Sequence, residues 1–185
     1  DVPNACVVPQ IWWSYVPFHL GSTFEGEQPS TIHDFFDVEK FPGKRGVHTW
    51  GNGIVEMALY ASGVAIPDIY DVLSTQEGQD MVFAKLDTIK DHVVFWSAGA
   101  KPLDLVNSGE VSMSIAYNGR IGGAVLADGA DYVTVWDGQV LEEEWLVLLN
   151  GAPNRAAALH FLVHASSTQA QADQAHWINY APMRP

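Results

Sequence analysis

A single cysteine in 185 residues leaves the chain no internal disulfide framework. That residue, Cys6, lies in the apolar run Ala5-Cys6-Val7-Val8 and reads as a small buried hydrophobe rather than a nucleophile. No apolar run approaches the roughly 20 residues that a helical membrane span requires. Basic residues are scarce: 9 Lys and Arg stand against 22 Asp and Glu, for a formal net charge of −13. That balance excludes nucleic acid as the expected partner. It permits a cationic ligand without requiring one, because acidic surfaces also serve solubility. Repeats and low-complexity linkers are absent as well, and 48% hydrophobic with 17% charged residues is a globular composition. The chain opens at Asp1 without a leader segment, which reads as a mature, trimmed or partial product.

What is present organises around residues 132–149, YVTVWDGQVLEEEWLVLL. The stretch predicts a strand, a tight turn at Asp137-Gly138 and a second strand. Side chains two apart on a strand share a face, so Glu142 and Glu144 are expected on one side and Glu143 on the other. Two readings stand open: an exposed acidic edge that blunts strand pairing, or carboxylates that look into a cleft. Desolvating them there requires a cation, a donor or water.

The rest of the chain alternates strands and helices, the pattern of an α/β layered fold. Residues 6–19 read as an extended segment whose Pro9 and Pro17 confine it to an edge or a crossing. Thr31 with Asp34 marks a short helix start. Residues 45–49 read as a strand, followed by Trp50-Gly51-Asn52-Gly53 and a helix with Gly63 at its C-terminal end. Pro67 to Leu73 reads as a short helix. Ser74 or Thr75 with Glu77 starts a longer one, with Met81, Phe83, Ala84 and Leu86 expected on its core face. Residues 93–96 read as a buried-type strand, 102–108 as a helix, 110–117 as a strand and 120–131 as a glycine-rich helix or loop. Asn154 is expected to cap a helix to about His164, and a last helix runs from about Ser167 to Trp177.

Catalytic patterns fail one by one. Gly51-x-Gly53 does not complete a dinucleotide fingerprint. His160 and His164 have zinc-ligand spacing, but no Glu follows the first and no third ligand is near, so no metal site is expected. The Ser97-Ala98-Gly99 and Ser108-Gly109 segments lack a hydrolase elbow. The expectation is a non-enzyme without a cofactor. The aromatics Trp12, Trp13, Trp50, Trp96, Tyr117, Trp136 and Trp145 fall at predicted strand ends or crossings. Each has a core role as its bland reading. Gathered beside Glu142 and Glu144, they would suit an amine through cation–π contact and charge pairing.

Three segments carry a resemblance: DFFDVEKFPGKRG, residues 84–120 (AKLDTIKDHVVFWSAGAKPLDLVNSGEVSMSIAYNGR), and the tail from Gly151 (GAPNRAAALHFLVHASSTQAQADQAHWINYAPMRP). They resemble the extracellular solute-binding proteins of polyamine (spermidine/putrescine)-type ABC transporters. The resemblance implies a periplasmic-binding-protein-like (type II) α/β fold, with one complete lobe and a second, partial lobe. Residues 1–13 would be a crossing strand from the incomplete first lobe, 14–136 the second lobe, and 137–185 the return crossing and the helical tail of the first. About a hundred residues that the family carries ahead of the first crossing are then missing from this chain. Ligand-binding residues implied by the resemblance are Glu144, Glu142, Tyr117, Trp50, Trp13 and Ser14, with Asn118 and Ser97 beside them. Tyr117 falls where the family packs an aromatic on the ligand, and Glu144 on its amine-binding acid. Glu142 replaces a tryptophan of that pattern, and His48-Thr49-Trp50 stands where spermidine binders carry acids. The implied solute is therefore a small cationic or zwitterionic amine, the implied partner an ABC permease, and the implied location the periplasm. The alternative is a shortened module that self-associates, as a homodimer, through the surface the missing segment leaves open.

Overall fold

The computed structural model describes residues 7–183, so Cys6 lies outside the described residues. The chain forms two compact units: one is Tyr15–Val140, and the other combines the described residues up to Ser14 with those from Leu141 onward. In chain order the elements are β1 (Val7–Leu20), α1 (Ile32–Phe36), β2 (Arg45–His48), α2 (Ile54–Ala61), α3 (Ile69–Leu73) and α4 (Gln76–Asp87). They continue with β3 (Val93–Trp96), α5 (Lys101–Asn107), β4 (Met113–Tyr117), α6 (Asn118–Asp128) and β5 (Tyr132–Thr134). Last come β6 (Val140–Val147), α7 (Arg155–Ala165), α8 (Thr168–Trp177) and β7 (Ala181–Pro182).

The larger unit is a sheet of order β3-β2-β4-β1-β5. Its β2 runs parallel to β3 and β4, while β1 is antiparallel to β4 and β5. Parallel neighbours need crossovers of a dozen or more residues. Helices α2 to α4 supply the first, between β2 and β3, and α5 supplies the second, between β3 and β4. Val16, Phe18, Trp96, Leu105, Val106, Val111, Ala116 and Ile121 pack into one buried cluster. Each Val, Leu, Ile or Phe among them contributes about 1.5–3 kcal/mol through burial.

Local signals set the helix ends. The Asp34 carboxylate accepts from the Thr31 N–H and hydroxyl at 2.9 and 3.0 Å and so fastens the start of α1. Helix α2 ends on Gly63, φ +91°, with Gly63 N–H donating to Tyr60 O and Val64 N–H to Leu59 O. Thr75 Oγ1 caps α4 by accepting from Gly78 N–H at 3.0 Å. Glycine, not Glu77, holds that position because α3 crosses there: a Cβ on Gly78 would strike the Val72 carbonyl. The expected core face of α4 is corrected by the same crossing. Gly78 and Val82 are buried, whereas Phe83 is 67% exposed and Ala84 is exposed. Strand β3 likewise is an edge rather than a buried strand, with Phe95 exposed.

Arg45, at the first position of β2, is fully buried. Its guanidinium donates to the carbonyls of Phe35 (2.7 Å), Gly43 (2.9 Å), Asp37 (3.2 Å) and Phe41 (2.6 Å) and to Ser112 Oγ (3.1 Å). Burial lowers its pKa to about 10, and the nearby Asp37 charge opposes that fall. The cation is therefore retained at neutral pH, solvated by protein oxygens in place of water.

In the smaller unit β6 and β7 both pair with β1, with Ile11 opposite Pro182 and Trp12 opposite Ala181. The strands on either side of the Asp137-Gly138 turn thus both pair with β1. Helix α8 is capped by Ser167 and tied to β1 by Gln171 Nε2, which donates to Pro9 O at 3.0 Å. Asn154 stands at the start of α7, but its side chain makes no capping bond. Leu149, Phe161, Val163 and Trp177 leave an apolar surface open in this unit, with Trp177 85% exposed. Arg45→Ala is expected to lower the unfolding free energy by about 3–5 kcal/mol, since it strips a buried network of its only cation. Urea unfolding of the chain measures this, and a loss under about 1 kcal/mol would show that the carbonyls find other donors.

Candidate functional site

The carboxyl ends of β2, β3 and β4 lie side by side, and each ends in a ring: His48, Trp96 and Tyr117. Trp96 meets His48 edge-on at 4.5 Å and Tyr117 at 5.9 Å. Tyr15 of β1 lies opposite Tyr117 in the ladder, with ring centroids 5.3 Å apart, and Trp50 stands 5.1 Å from His48. Five rings therefore form one continuous cluster. Two glycines let loops close on it. Gly53, φ +80°, brings the loop before α2 so near Tyr15 that a Cβ would lie 2.9 Å from its ring, and at Gly99 a Cβ would lie 2.8 Å from the Tyr117 ring.

His48 is held in a defined state. It is buried, and its Nδ1 accepts the Trp50 N–H at 2.9 Å, which requires an unprotonated nitrogen there. Burial lowers its pKa, partly countered by a hydrogen bond with the Ser97 backbone. Trp96 Nε1 is buried without a hydrogen-bond partner. Around this floor stand Ser97, which is exposed; Asn118, half-buried in the first turn of α6; and Arg120, exposed in the same turn. The first-turn amides of α6 add positive potential at the same strand end. Aromatic faces offer a surface for alkyl or ammonium groups, and the α6 turn suits an anion.

Of the eight residues singled out by sequence, Tyr117, Asn118, Trp50 and Ser97 gather around this cluster. Trp13, Ser14, Glu142 and Glu144 belong to the smaller unit. Ser14 is buried and Trp13 half-buried on β1, immediately before Tyr15. On β6 Glu142 and Glu143 are half-buried and Glu144 is exposed, so the two acids that lie two apart on the strand differ in exposure. Among the described residues β1 is the one strand beside β6, so its open edge as well as its faces governs which groups meet water. The seven aromatics are divided between the two units. Trp50, Trp96 and Tyr117 join the cluster, Trp12, Trp13 and Trp145 lie in the smaller unit, and Trp136 borders another cavity. Sequence reasoning missed Tyr15 and His48 as members. Strand-end position marks His48, but Tyr15 is placed only by the β1–β4 register. Beside the cluster a cavity of about 400 Å³ is walled by Trp50, Ile54, Leu86, Phe95 and the exposed Phe83.

A sheet with parallel central strands, glycine-bearing loops and a ring-lined strand end defines a class: α/β proteins that take a small ligand beyond the carboxyl ends of their strands. The chain belongs to the bacterial extracellular solute-binding protein family, whose model matches residues 5–185. The gamma-aminobutyric acid-binding protein of Pseudomonas aeruginosa is 39% identical over 180 residues, which are 97% of this chain and 51% of that protein. An ABC transporter substrate-binding protein from Bradyrhizobium japonicum USDA 110 superposes with a TM-score of 0.86 at 36% identity, covering 98% of this chain and 55% of the other. The binding protein MotA from A. tumefaciens B6, solved in complex with glucopine, gives 0.88 at 33% identity over 97% and 55%. The chain thus spans about half the length of these relatives, which are solute-binding proteins and not enzymes. The spermidine/putrescine-binding protein PotD of Streptococcus pneumoniae, 12% identical with a TM-score of 0.75, shares the fold alone.

Acid should loosen this site. The folded protein holds His48 below the ordinary histidine value of about 6.5, so the unfolded chain binds more protons as pH falls through that value. The His48 contribution is complete above about pH 6.5 and is lost below it. Protonation at Nδ1 also ejects the Trp50 N–H. The Trp50 fluorescence, read as the difference between the wild type and Trp50→Phe, is expected to change between pH 7.5 and 5, and the same difference to stay flat when both carry His48→Gln.

Proposed function

We propose that this chain forms part of the periplasmic receptor of an ABC importer, and that its solute is a small zwitterionic amine of the gamma-aminobutyrate kind. The observation that carries the reading is the five-ring cluster at the strand ends beside the first turn of α6. An ω-amino acid has an alkyl chain to lie on Tyr117 and Trp50, and a carboxylate for Arg120 and the α6 amides. Its ammonium requires an acid, the role proposed for Glu144 and Glu142. Asn118 and Ser97 add polar contacts, and Trp13 and Ser14 stand where the chain passes between lobes. In this reading residues 14–136 are the second lobe, and residues 1–13 with 137–185 belong to the first. Closure on the ligand rests on contacts made only when both lobes meet it. The likeness to a gamma-aminobutyrate binder at 39% identity favours this solute over a polyamine, which has no carboxylate for Arg120.

Calorimetry on the product of the complete gene, with gamma-aminobutyrate and putrescine, tests the reading. The expected result is binding of the amino acid at least about tenfold tighter, or about 1.4 kcal/mol. Glu144→Gln is expected to weaken it by about 1.5–3 kcal/mol, the loss typical of a hydrogen bond to a charged group. Tighter putrescine binding would restore the polyamine class, and unchanged affinity in both Glu144→Gln and Glu142→Gln would remove these carboxylates from the site. The exposed Phe161, Val163 and Trp177 favour a second reading, a module that pairs with its own copy. Light scattering decides: a tight dimer supports it and a monodisperse monomer opposes it.

A further inference from the structure

A second cavity, of about 290 Å³, lies within the larger unit and shares no lining residue with the strand-end cluster. Helix α2 presents Glu56 and Tyr60, four apart and so on one face, and the turn between β5 and β6 presents Trp136, Asp137 and Gln139. Ile66 and Ile69 supply the apolar wall. Glu56 Oε2 is buried without a hydrogen-bond partner. A carboxylate oxygen shut away from water and from donors is costly unless something positive meets it. Neither Lys nor Arg lines the cavity, so none of its walls brings a counter-charge. The second carboxylate is already committed: Asp137 accepts from the Ile32 N–H at 2.9 Å and from the Tyr60 hydroxyl at 3.3 Å. It fixes the turn and adds negative potential, which pushes the Tyr60 hydroxyl up from its ordinary value. Trp136 is 55% exposed at the mouth, and an indole face is the strongest aromatic partner for a cation.

We infer that this cavity binds a small organic ammonium ion, with Glu56 Oε2 receiving the N–H donors, the Trp136 face against the charge and Ile66 and Ile69 against a short alkyl chain. A metal ion is disfavoured by the ligands at hand. Hard cations take six or more oxygens, and here one carboxylate is free while the other is occupied. The inference is independent of the solute proposed above, because a carboxylate on the ligand plays no part in it.

The test is an amide and indole NMR titration of the chain with n-butylammonium chloride, against sodium chloride at equal ionic strength. Saturable shifts at the Trp136 indole N–H and at the Gly138 and Gln139 amides are expected. Binding read at the Gly138 and Gln139 amides should weaken at least tenfold in Glu56→Gln and in Trp136→Leu, and persist in Tyr117→Ala. Shifts reproduced by sodium chloride, or equal in wild type and both cavity variants, would overturn the inference. Loss in Tyr117→Ala with no change in the cavity variants would do the same, by assigning the ammonium to the strand-end cluster.

Discussion

Four strands depend on one. β1 hydrogen-bonds β4, β5, β6 and β7, and it begins in the smaller unit and ends in the larger. Its register decides the site. A slip of one residue would reverse every side chain on it, turning Tyr15 away from Tyr117 and Gly53. Pro17 shows how closely this strand is specified. It stands opposite Ile115 and at the margin of the β5 ladder, which starts at Phe18, and its carbonyl still accepts from Val135 N–H at 2.9 Å. A residue without an N–H is tolerated in an interior strand when it falls where one ladder begins.

Arg45 performs the corresponding task for β2. All of its hydrogen-bond partners are carbonyl or hydroxyl oxygens, drawn from Phe35 in α1, from the loop between α1 and β2 and from the residue just before β4. A guanidinium has five donors in a rigid plane, so a loop that wraps it is pinned at several points. The start of β2 is thereby fixed against its neighbour, and the opposite end of the same short strand delivers His48 to the aromatic cluster. Gly46 allows the close approach: a side chain there would collide with Ser114, whose hydroxyl donates to the Gly46 carbonyl at 3.1 Å.

The strand-end cluster and the α2 cavity divide the chemistry of an acidic chain. The first is rich in rings and helix amides, is flanked by Arg120, and has a neutral histidine at its centre. The second combines a shielded carboxylate oxygen with an indole. Net charge of −13 is distributed, and it does not by itself point to either place. What distinguishes the second is desolvation without compensation, since an exposed carboxylate has its charge satisfied by water.

The sequence by itself determined the elements whose causes are local. Thr31 with Asp34, Gly63 and Thr75 each act within three to five residues, so α1, α2 and α4 were legible from spacing. The α/β alternation was legible for the same reason, and the family resemblance in three segments led to the same fold class. Where a signal depended on distant chain, it misled or stayed silent. Phe83 has helical spacing for the core, yet α3 crosses at Gly78 and turns it outward. Spacing puts Glu142 and Glu144 two apart on a strand, and it is silent on why one is half-buried and the other exposed. Tyr15 carries no mark of its own, since only pairing with Tyr117, some hundred residues later, brings the two rings together. Glu56 reads as an ordinary helix-surface acid until the 136–140 turn closes over it. Periodicity and capping report on neighbours along the chain, whereas register, crossovers and desolvation are properties of chain brought together from afar, and only the tertiary structure decided them.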